Sequence, residues 1–295
     1  MSRSVRVFQV DAFTRTAFTG NPAGVVLDAE RLSEAEMQSI ARELNNGDTA
    51  FVLPPAAADH DLQVRFFTPR KEAPFVGHAT LAAHAVLSRL EPRQLRRQRG
   101  RTGVVEVRSA PAGGFSIRQP PPPLIGAPDP ALLEEALALL GLEAAQLDSA
   151  CPPCIAGSAS TRLLLALREP AALEALRPQP GALAALSPRI GAQGYFLFTR
   201  SARAADCLTE SRMFCPALGI DEDPVSGNAH AMLAMQLHAH RLIPGGGLEF
   251  SGAQGASMAR PGRVDVSIDL DAAGKPAGVS IAGQAVLVFE ATLSL

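Results

Sequence analysis

Two stretches of the chain resemble each other: residues 77–87 read GHATLAAHAVL, and residues 227–237 read GNAHAMLAMQL. Each opens with glycine, a polar residue and alanine, and continues with the alanine- and leucine-rich composition of a buried helix. A second pair lies upstream in the same order and at nearly the same offset, RFFTP at 65–69 and RMFCP at 212–216. Features that recur in order indicate a duplicated domain.

The rest of the sequence favours strands. Alternating or β-branched apolar runs predict strands in both halves, among them 5–13, 62–67, 194–199 and 264–268. Because strands outnumber helices, we predict an α+β fold of two similar domains, each a mostly antiparallel sheet rolled around a central helix. The four prolines at 120–123 place the domain boundary, giving domains 1–119 and 120–295, and the last strand can return to the N-terminal domain.

Composition excludes several classes of protein. The 295 residues carry a net charge of −2, which predicts neither nucleic-acid nor membrane binding. The four cysteines are too few for a disulfide scaffold, and neither a signal peptide nor a transmembrane stretch is evident, so a cytoplasmic location is expected. The basic run RQLRRQRGR at 93–101 is expected to be a solvated helix end and loop rather than a phosphate site.

The paired helix starts indicate a binding site. A helix N-terminus offers unpaired N–H groups and positive partial charge, and Gly77 and Gly227 allow close approach of a ligand to that backbone. We therefore expect the two halves to enclose a cleft that binds a small carboxylate-bearing molecule.

Polar residues near these helix starts are the candidates for chemistry. Asp48 precedes an apolar strand, and a desolvated carboxyl group there can exchange protons near neutrality. His78 begins the first helix, while Asp223 precedes the second and Asn228 occupies the place that matches His78. Structural interpretations stay open at this point: Asp48 as a cap, Asp223 as a turn residue before proline, and His78 as a neighbour of the helix cap.

Metal and nucleotide chemistry are not indicated. No histidine or cysteine set has zinc-ligand spacing, and no phosphate-binding or dinucleotide-binding loop is present, so neither a metal nor a cofactor is expected. The pair Cys151 and Cys154 forms a C-x-x-C motif, but it does not open a helix after a strand as redox pairs do. Thiol redox activity is kept as a minor alternative.

Six motifs in order resemble those of the phenazine-biosynthesis PhzF-like family of isomerases. They are VDAF (10–13), GNPA (20–23), DTAF (48–51), RFFTP (65–69), GHAT (77–80) and EDPVSGNA (222–229). The similarity runs from about residue 5 to the C-terminus and includes QG at 254–255 and MARP at 258–261.

This resemblance implies a diaminopimelate epimerase-like fold, a homodimer and no cofactor. It implies an isomerisation like that of trans-2,3-dihydro-3-hydroxyanthranilate, in which an acidic residue moves a proton between carbons. By resemblance, Asp48 stands where the family usually has its catalytic glutamate, and His78 and Asp223 match residues that orient the substrate. Asn228 stands where the phenazine enzyme has serine.

We therefore expect a cofactor-independent isomerase that moves a proton on a small carboxylate-bearing substrate by general acid–base catalysis. Its expected catalytic residues are Asp48, His78 and Asp223, and its expected substrate-binding residues are Gly77, Ser226, Gly227 and Asn228. The shorter Asp48 and the amide of Asn228 indicate a substrate different from the phenazine precursor. The alternative is a non-catalytic small-molecule-binding protein with a degenerate isomerase cleft.

Overall fold

The computed structural model describes residues 3–110 and 113–295. The chain divides into two compact units, the first comprising Met1–Gln119 with Ala282–Leu295 and the second comprising Pro120–Ile281.

The elements up to the proline run belong to the first unit. They are β1 (Ser4–Ala12), β2 (Asn21–Val26), α1 (Glu34–Leu44), β3 (Asp48–Leu53), β4 (Leu62–Phe67), β5 (Glu72–Ala73), α2 (Gly77–Leu90), β6 (Leu95–Gly100), β7 (Gly103–Ser109) and β8 (Phe115–Gln119).

The remaining elements follow in chain order. They are β9 (Leu124–Gly126), α3 (Pro130–Leu140), β10 (Cys154–Gly157), β11 (Thr161–Leu167), α4 (Pro170–Glu174), α5 (Pro180–Ile190), β12 (Gly194–Thr199), β13 (Thr209–Cys215), β14 (Ile220–Asp223), α6 (Gly227–Ala239), β15 (Glu249–Gln254), β16 (Gly262–Leu270), β17 (Pro276–Gly283) and β18 (Ala285–Ser294). Short 3₁₀ helices lie at Ala29–Arg31, Ala144–Gln146, Pro216–Leu218, Pro244–Gly246 and Ala256–Met258.

The first unit is a sheet rolled around α2. Its strand order is β18–β1–β2–β3–β4–β6–β7–β8, and short β5 adds to β4. All neighbours are antiparallel except the pairs β2–β3 and β4–β6. Helix α2 contacts the middle strands and also β18 and β8 at the two ends of the order, which requires the sheet to curl around the helix.

The second unit repeats this arrangement around α6. Its strand order is β9–β10–β11–β12–β13–β15–β16, with β14 added to β13. In both strand orders the parallel pairs join the third strand to the fourth and the fifth strand to the sixth, which here are β11–β12 and β13–β15. Helix α6 contacts β9, β10 and β16. The α+β prediction of two similar rolled sheets is therefore confirmed. The succession of antiparallel and parallel pairings from β9 to β16 matches that from β18 to β7.

The repeated arginine of the R-x-F-x-P stretches makes the same contacts in both units. Arg65 donates to both carboxylate oxygens of Glu72, from Nε at 2.8 Å and from Nη2 at 2.9 Å, and Arg212 does the same with Glu222 at the same distances. The two guanidinium groups also stack over the phenylalanine two residues later, at 5.1 and 5.0 Å from the ring centres. A shared ion pair and ring contact indicate that both units inherit one local design.

Apolar packing explains why α2 and α6 are central. In α2, every residue from His78 to His84 is buried, and the helix packs on apolar side chains of β1 to β4. Helix α6 is buried on all sides, as an interior helix must be. The second unit adds a further core between its sheet and helices α3, α4 and α5, in which Leu163, Leu183 and Tyr195 are fully buried.

The basic run at 93–101 is not the solvated helix end and loop that we expected. It contains strand β6, which pairs with β4 and β7. Arg96 and Gln98 point inward and are 5% and 0% exposed, while Arg97 between them is exposed. The inward Arg96 donates to Ser88 Oγ at 3.5 Å and to the Glu91 carbonyl. Charge density hid the period-2 burial pattern of a strand, because long polar side chains can be buried when their polar ends find partners.

Among the residues that the structure describes, no helix combines the length and apolar character needed to cross a bilayer.

Candidate functional site

Asp48 lies at the start of β3, where this strand runs parallel to β2. Its Cα partner is Ala23, and the residue is only 7% exposed. The end of α1 is made instead by Asn45, which adopts φ 51° and donates its N–H to the Ala41 carbonyl. Asn45 is therefore the C-cap of α1, and Asp48 is the first residue of a buried strand.

His78 stands next to Asp48. Its Nε2 lies 3.7 Å from Asp48 Oδ2, although 30 positions separate the two in the chain. His78 is 9% exposed, and its Nε2 is buried without a hydrogen-bond partner in the described ranges 3–110 and 113–295. Burial lowers the pKa of this imidazole to about 4, so the ring is neutral at physiological pH. The pair therefore combines a carboxyl group with a neutral imidazole.

The start of α2 is open to a ligand. Its N-cap residue, Val76, provides no side-chain cap, and the first intrahelical bond runs from the Thr80 N–H to the Val76 carbonyl at 3.0 Å. The helix itself therefore offers no acceptor to the N–H groups of its first turn. Apart from the adjoining residues and the backbone of the helix itself, no described atom lies within 4 Å of the position that a Cβ on Gly77 would take, so space exists directly beside this backbone.

In the second unit, Gln254 supports the segment before α6. The buried Gln254 side chain accepts from the Ser226 N–H at 3.1 Å and donates to the Asp223 carbonyl at 2.7 Å. Asp223 is the last residue of β14 and is half-buried. Gly255, with φ 93°, packs its backbone where a Cβ would meet the Pro224 carbonyl at 2.7 Å. Gln254 thus fixes both ends of the turn that carries Asp223.

The start of α6 differs from that of α2. Ser226 is its N-cap, and Ser226 Oγ accepts from the Ala229 N–H at 3.3 Å. Gly227 follows and is buried, while Asn228 is half-exposed and its side chain makes no hydrogen bond with any residue in the described part of the chain. His230 Nδ1 lies 2.7 Å from the Ser226 carbonyl and must donate to it, which leaves Nε2 as the acceptor nitrogen.

Only the first unit has a carboxyl group at the place of Asp48. In β3 and β4, Phe51 pairs with Arg65; in β12 and β13, Leu197 pairs with Arg212, so Gly194 corresponds to Asp48. A Cβ at position 194 would lie 2.5 Å from the Cys215 sulfur, so no side chain fits there. Of these two equivalent positions, one therefore carries a carboxyl group and the other has no side chain.

The C-x-x-C motif does not form a reactive thiol pair. Cys151 and Cys154 are free and buried, and burial raises the pKa of the Cys151 thiol to about 12 and also raises that of Cys154. A thiol needs its thiolate form to react, and burial disfavours that form. In the described residues, no group of three or more His, Cys, Asp or Glu side chains is arranged to hold a metal ion.

The sequence profile of the PhzC-PhzF family, the phenazine biosynthesis-like proteins, matches residues 10–291. The chain therefore belongs to this family. A PhzF family phenazine biosynthesis protein from Bacillus anthracis, known as a crystal structure, is similar with a TM-score of 0.87 and 26% identity, covering 99% of each chain. The diaminopimelate epimerase-like fold that the resemblance implied is thus present.

Two relatives are similar over most of their length. An uncharacterized isomerase of Clostridium acetobutylicum is 35% identical over 303 residues and covers 100% of each chain. The trans-2,3-dihydro-3-hydroxyanthranilate isomerase of Pseudomonas aeruginosa is 32% identical over 263 residues and covers 88% of each chain.

The structure brings two of the sequence-predicted residues together, Asp48 and His78 in the first unit. In the second unit Asp223, Ser226, Gly227 and Asn228 stay close because they are neighbours in sequence. Gln254 was noted only as part of a motif, and its supporting role was missed. An isolated glutamine gives no signal until a fold shows which backbone groups it reaches.

Proposed function

We propose that this protein is a cofactor-independent isomerase that moves a proton between carbons of a small carboxylate-bearing substrate. The observation that carries the proposal is the buried pair of Asp48 and His78, 3.7 Å apart from Oδ2 to Nε2. The names of the Clostridium and Pseudomonas relatives, both isomerases, support the reaction class.

In the proposed reaction, Asp48 is the proton carrier. Its carboxylate removes a proton from a substrate carbon, the electron pair is delocalised within the substrate, and the resulting carboxylic acid returns the proton at another carbon. General acid–base catalysis of this kind needs a carboxyl group positioned beside the substrate carbons between which the proton moves. No electrons enter or leave the substrate, so this step needs no redox partner.

His78 is proposed to orient the substrate rather than to carry the proton. Because burial lowers its pKa to about 4, the imidazole does not compete with the carboxyl group for a proton at neutral pH. It can still donate or accept a hydrogen bond. In the second unit, Asp223, Ser226, Gly227 and Asn228 are proposed to bind polar groups of the substrate, and in the first unit Gly77 is proposed to let it approach the backbone of α2.

Deuterium incorporation tests this proposal. The full chain is incubated in heavy water with trans-2,3-dihydro-3-hydroxyanthranilate and with small carboxylates that raise its melting temperature, and carbon-bound deuterium is measured by NMR and mass spectrometry. We expect incorporation by the native protein and a loss of about 100-fold or more in Asp48→Asn. Asp28→Asn is the matched control, because Asp28 is exposed and adopts φ 54°, which asparagine tolerates.

Incorporation that persists in Asp48→Asn contradicts the role of Asp48. Tight binding by the native protein without any incorporation supports the alternative, a non-catalytic binding protein.

A further inference from the structure

Arg162 is a buried cation without a carboxylate partner. It lies in β11, in the otherwise apolar sequence TRLLLAL, and is 6% exposed. Both of its hydrogen bonds leave from Nη1, to Ser160 Oγ and to the Thr161 carbonyl, each at 2.8 Å. Its Nε is buried without a hydrogen-bond partner, and no carboxylate oxygen lies within 4 Å of the guanidinium, among the residues that the structure describes.

An unpaired buried charge needs an explanation. Arginine remains protonated in proteins, and removing its charge from water is unfavourable unless an anion and hydrogen bonds compensate. The same chain shows how its arginines bind a carboxylate: Arg65 and Arg212 use the Nε and Nη2 edge to grip Glu72 and Glu222. In Arg162 this is the edge left without a partner.

The internal duplication places Arg162 beside the position that corresponds to Asp48. Arg162 pairs with Gly194 across the parallel strands β11 and β12, just as Ala23 pairs with Asp48 across β2 and β3. The arginine stem fills the place of the missing side chain, because its Cδ lies 3.0 Å from where a Cβ on Gly194 would stand. One unit thus has a buried aspartate at this strand pair, and the other has a buried arginine.

Arg162 is also near the segment that carries Asp223. Burial raises the pKa of the Cys215 thiol to about 11, and the charges of Arg162 and Asp223 act on the same thiol in opposite directions. Cys215 pairs with Ile220 at the start of the strand that ends in Asp223. Arg162 and the proposed substrate-binding segment therefore lie at the same end of the second unit.

We propose that Arg162 is a substrate-binding residue whose Nε and Nη2 grip the carboxylate of the substrate in a bidentate pair. This inference rests on the proposed function only in taking its ligand to be a small carboxylate. A purely structural arginine would need only the two bonds from Nη1 that hold the turn between β10 and β11.

Two ligands that differ only in their carboxylate distinguish a substrate-binding Arg162 from a purely structural one. Anthranilate and its neutral amide, 2-aminobenzamide, differ in the carboxylate alone, and anthranilate resembles the substrate named for the Pseudomonas relative. Both are fluorescent, and the chain has no tryptophan and a single tyrosine, so titrations can follow ligand emission without protein background. The full chain is titrated with each ligand at constant ionic strength.

We expect the native protein to bind anthranilate at least about 10-fold more tightly than the amide, as for a charge-assisted hydrogen-bonded pair. Arg162→Met should weaken anthranilate binding by about 10- to 100-fold and leave amide binding within about two-fold. Arg162→Lys keeps the charge without the planar fork and should fall between them. Arg177→Met is the control, because Arg177 also bonds two local carbonyl groups, of Ala175 and Leu176, but is exposed.

Three results overturn the proposal: a native protein without preference for the carboxylate, an Arg162→Met variant that keeps the preference, or equal weakening of both ligands. If Arg162→Met does not fold, Arg162→Lys decides, because a folded lysine variant with unchanged preference also overturns it. Deuterium incorporation remains an independent readout. Carboxylate binding that depends on Arg162, in a protein without exchange, would leave this inference standing while the proposed reaction fails.

Discussion

The imidazole of His230 occupies the space that a side chain at position 252 would need: its Cδ2 and Nε2 lie 2.5 Å from where a Cβ on Gly252 would stand. The corresponding positions of the first unit are the fourth residue of α2, Thr80, and the residue of β6 paired with Leu62, Gln98. There the Gln98 amide donates to Thr80 Oγ1 at 3.3 Å. The first unit thus fills this space with a small helix residue, Thr80, and a long strand residue, Gln98. The second unit fills it with a large helix residue, His230, and a glycine in the strand, Gly252.

This shared space predicts that a substitution of His230 restores stability that a substitution of Gly252 removes. Gly252→Ala should destabilise the protein by about 1–3 kcal/mol, because the new methyl group overlaps the ring of His230. Adding His230→Thr should restore part of this loss, so that the double variant is more stable than the sum of the single changes by at least about 1 kcal/mol. Urea unfolding measures each free energy. Gly181→Ala, where nothing lies within 4 Å of the new Cβ, is the control; strict additivity would contradict the shared space.

The free energy of unfolding should depend on the amide nitrogen of Gln254, which a carboxylate oxygen cannot replace. Gln254→Glu keeps an acceptor for the Ser226 N–H but replaces the amide that donates to the Asp223 carbonyl with a carboxylate oxygen, which repels that carbonyl. We expect a loss of about 1–3 kcal/mol in the free energy of unfolding. The same variant should slow deuterium incorporation if the Asp223 turn binds substrate. Gln38→Glu, at a single half-buried bond to the Thr68 carbonyl, should cost less.

The hydrogen bond of the N-cap residue of α6, Ser226, should stabilise the folded protein. Ser226→Ala removes the acceptor for the Ala229 N–H and should cost about 1 kcal/mol in denaturant unfolding. Ser33→Ala, at the capping box of α1, should cost a similar amount. Ser39→Ala changes an exposed residue inside α1 and should stay within about 0.5 kcal/mol. Equal effects of all three changes would argue against capping.

Three of the buried histidines should make the protein sensitive to mild acid. Burial lowers the pKa values of His78, His84 and His230 from 6.5 to about 4. As the pH falls through 6.5 the unfolded chain binds a proton at each histidine, whereas the native protein binds it only near pH 4. Stability is therefore highest above pH 6.5 and falls between pH 6.5 and 4, by up to about 1.4 kcal/mol per pH unit for each group.

Urea unfolding between pH 7.5 and 5.0 measures this slope above the range in which most carboxyl groups titrate. In His78→Gln one of the three groups is gone, so the slope should decrease by about one third. Replacing the exposed His240 with glutamine should leave it unchanged. An unaltered slope in His78→Gln would mean that this ring already titrates normally in the native protein.

Local signals in the sequence predicted local structure well. The pattern Ser33 to Glu36 predicts a capping box, and both of its bonds form at the start of α1. Helix α2 begins at Gly77, the first residue of the repeated stretch, because glycine and apolar periodicity act within one helix. Strand β6 was missed because its charged residues obscured the alternation of buried and exposed positions.

The amino-acid sequence by itself determined the duplication, the strand-rich composition and the two buried helices, since these follow from residue order and from periodicity over a few turns. Only the tertiary structure decided which polar groups meet. It pairs β1 with β18 from the other end of the chain, sets His78 beside Asp48, and leaves Arg162 without a carboxylate partner among the described residues. Such contacts join residues that are far apart in sequence, so they cannot be predicted from the residues next to each partner in the chain.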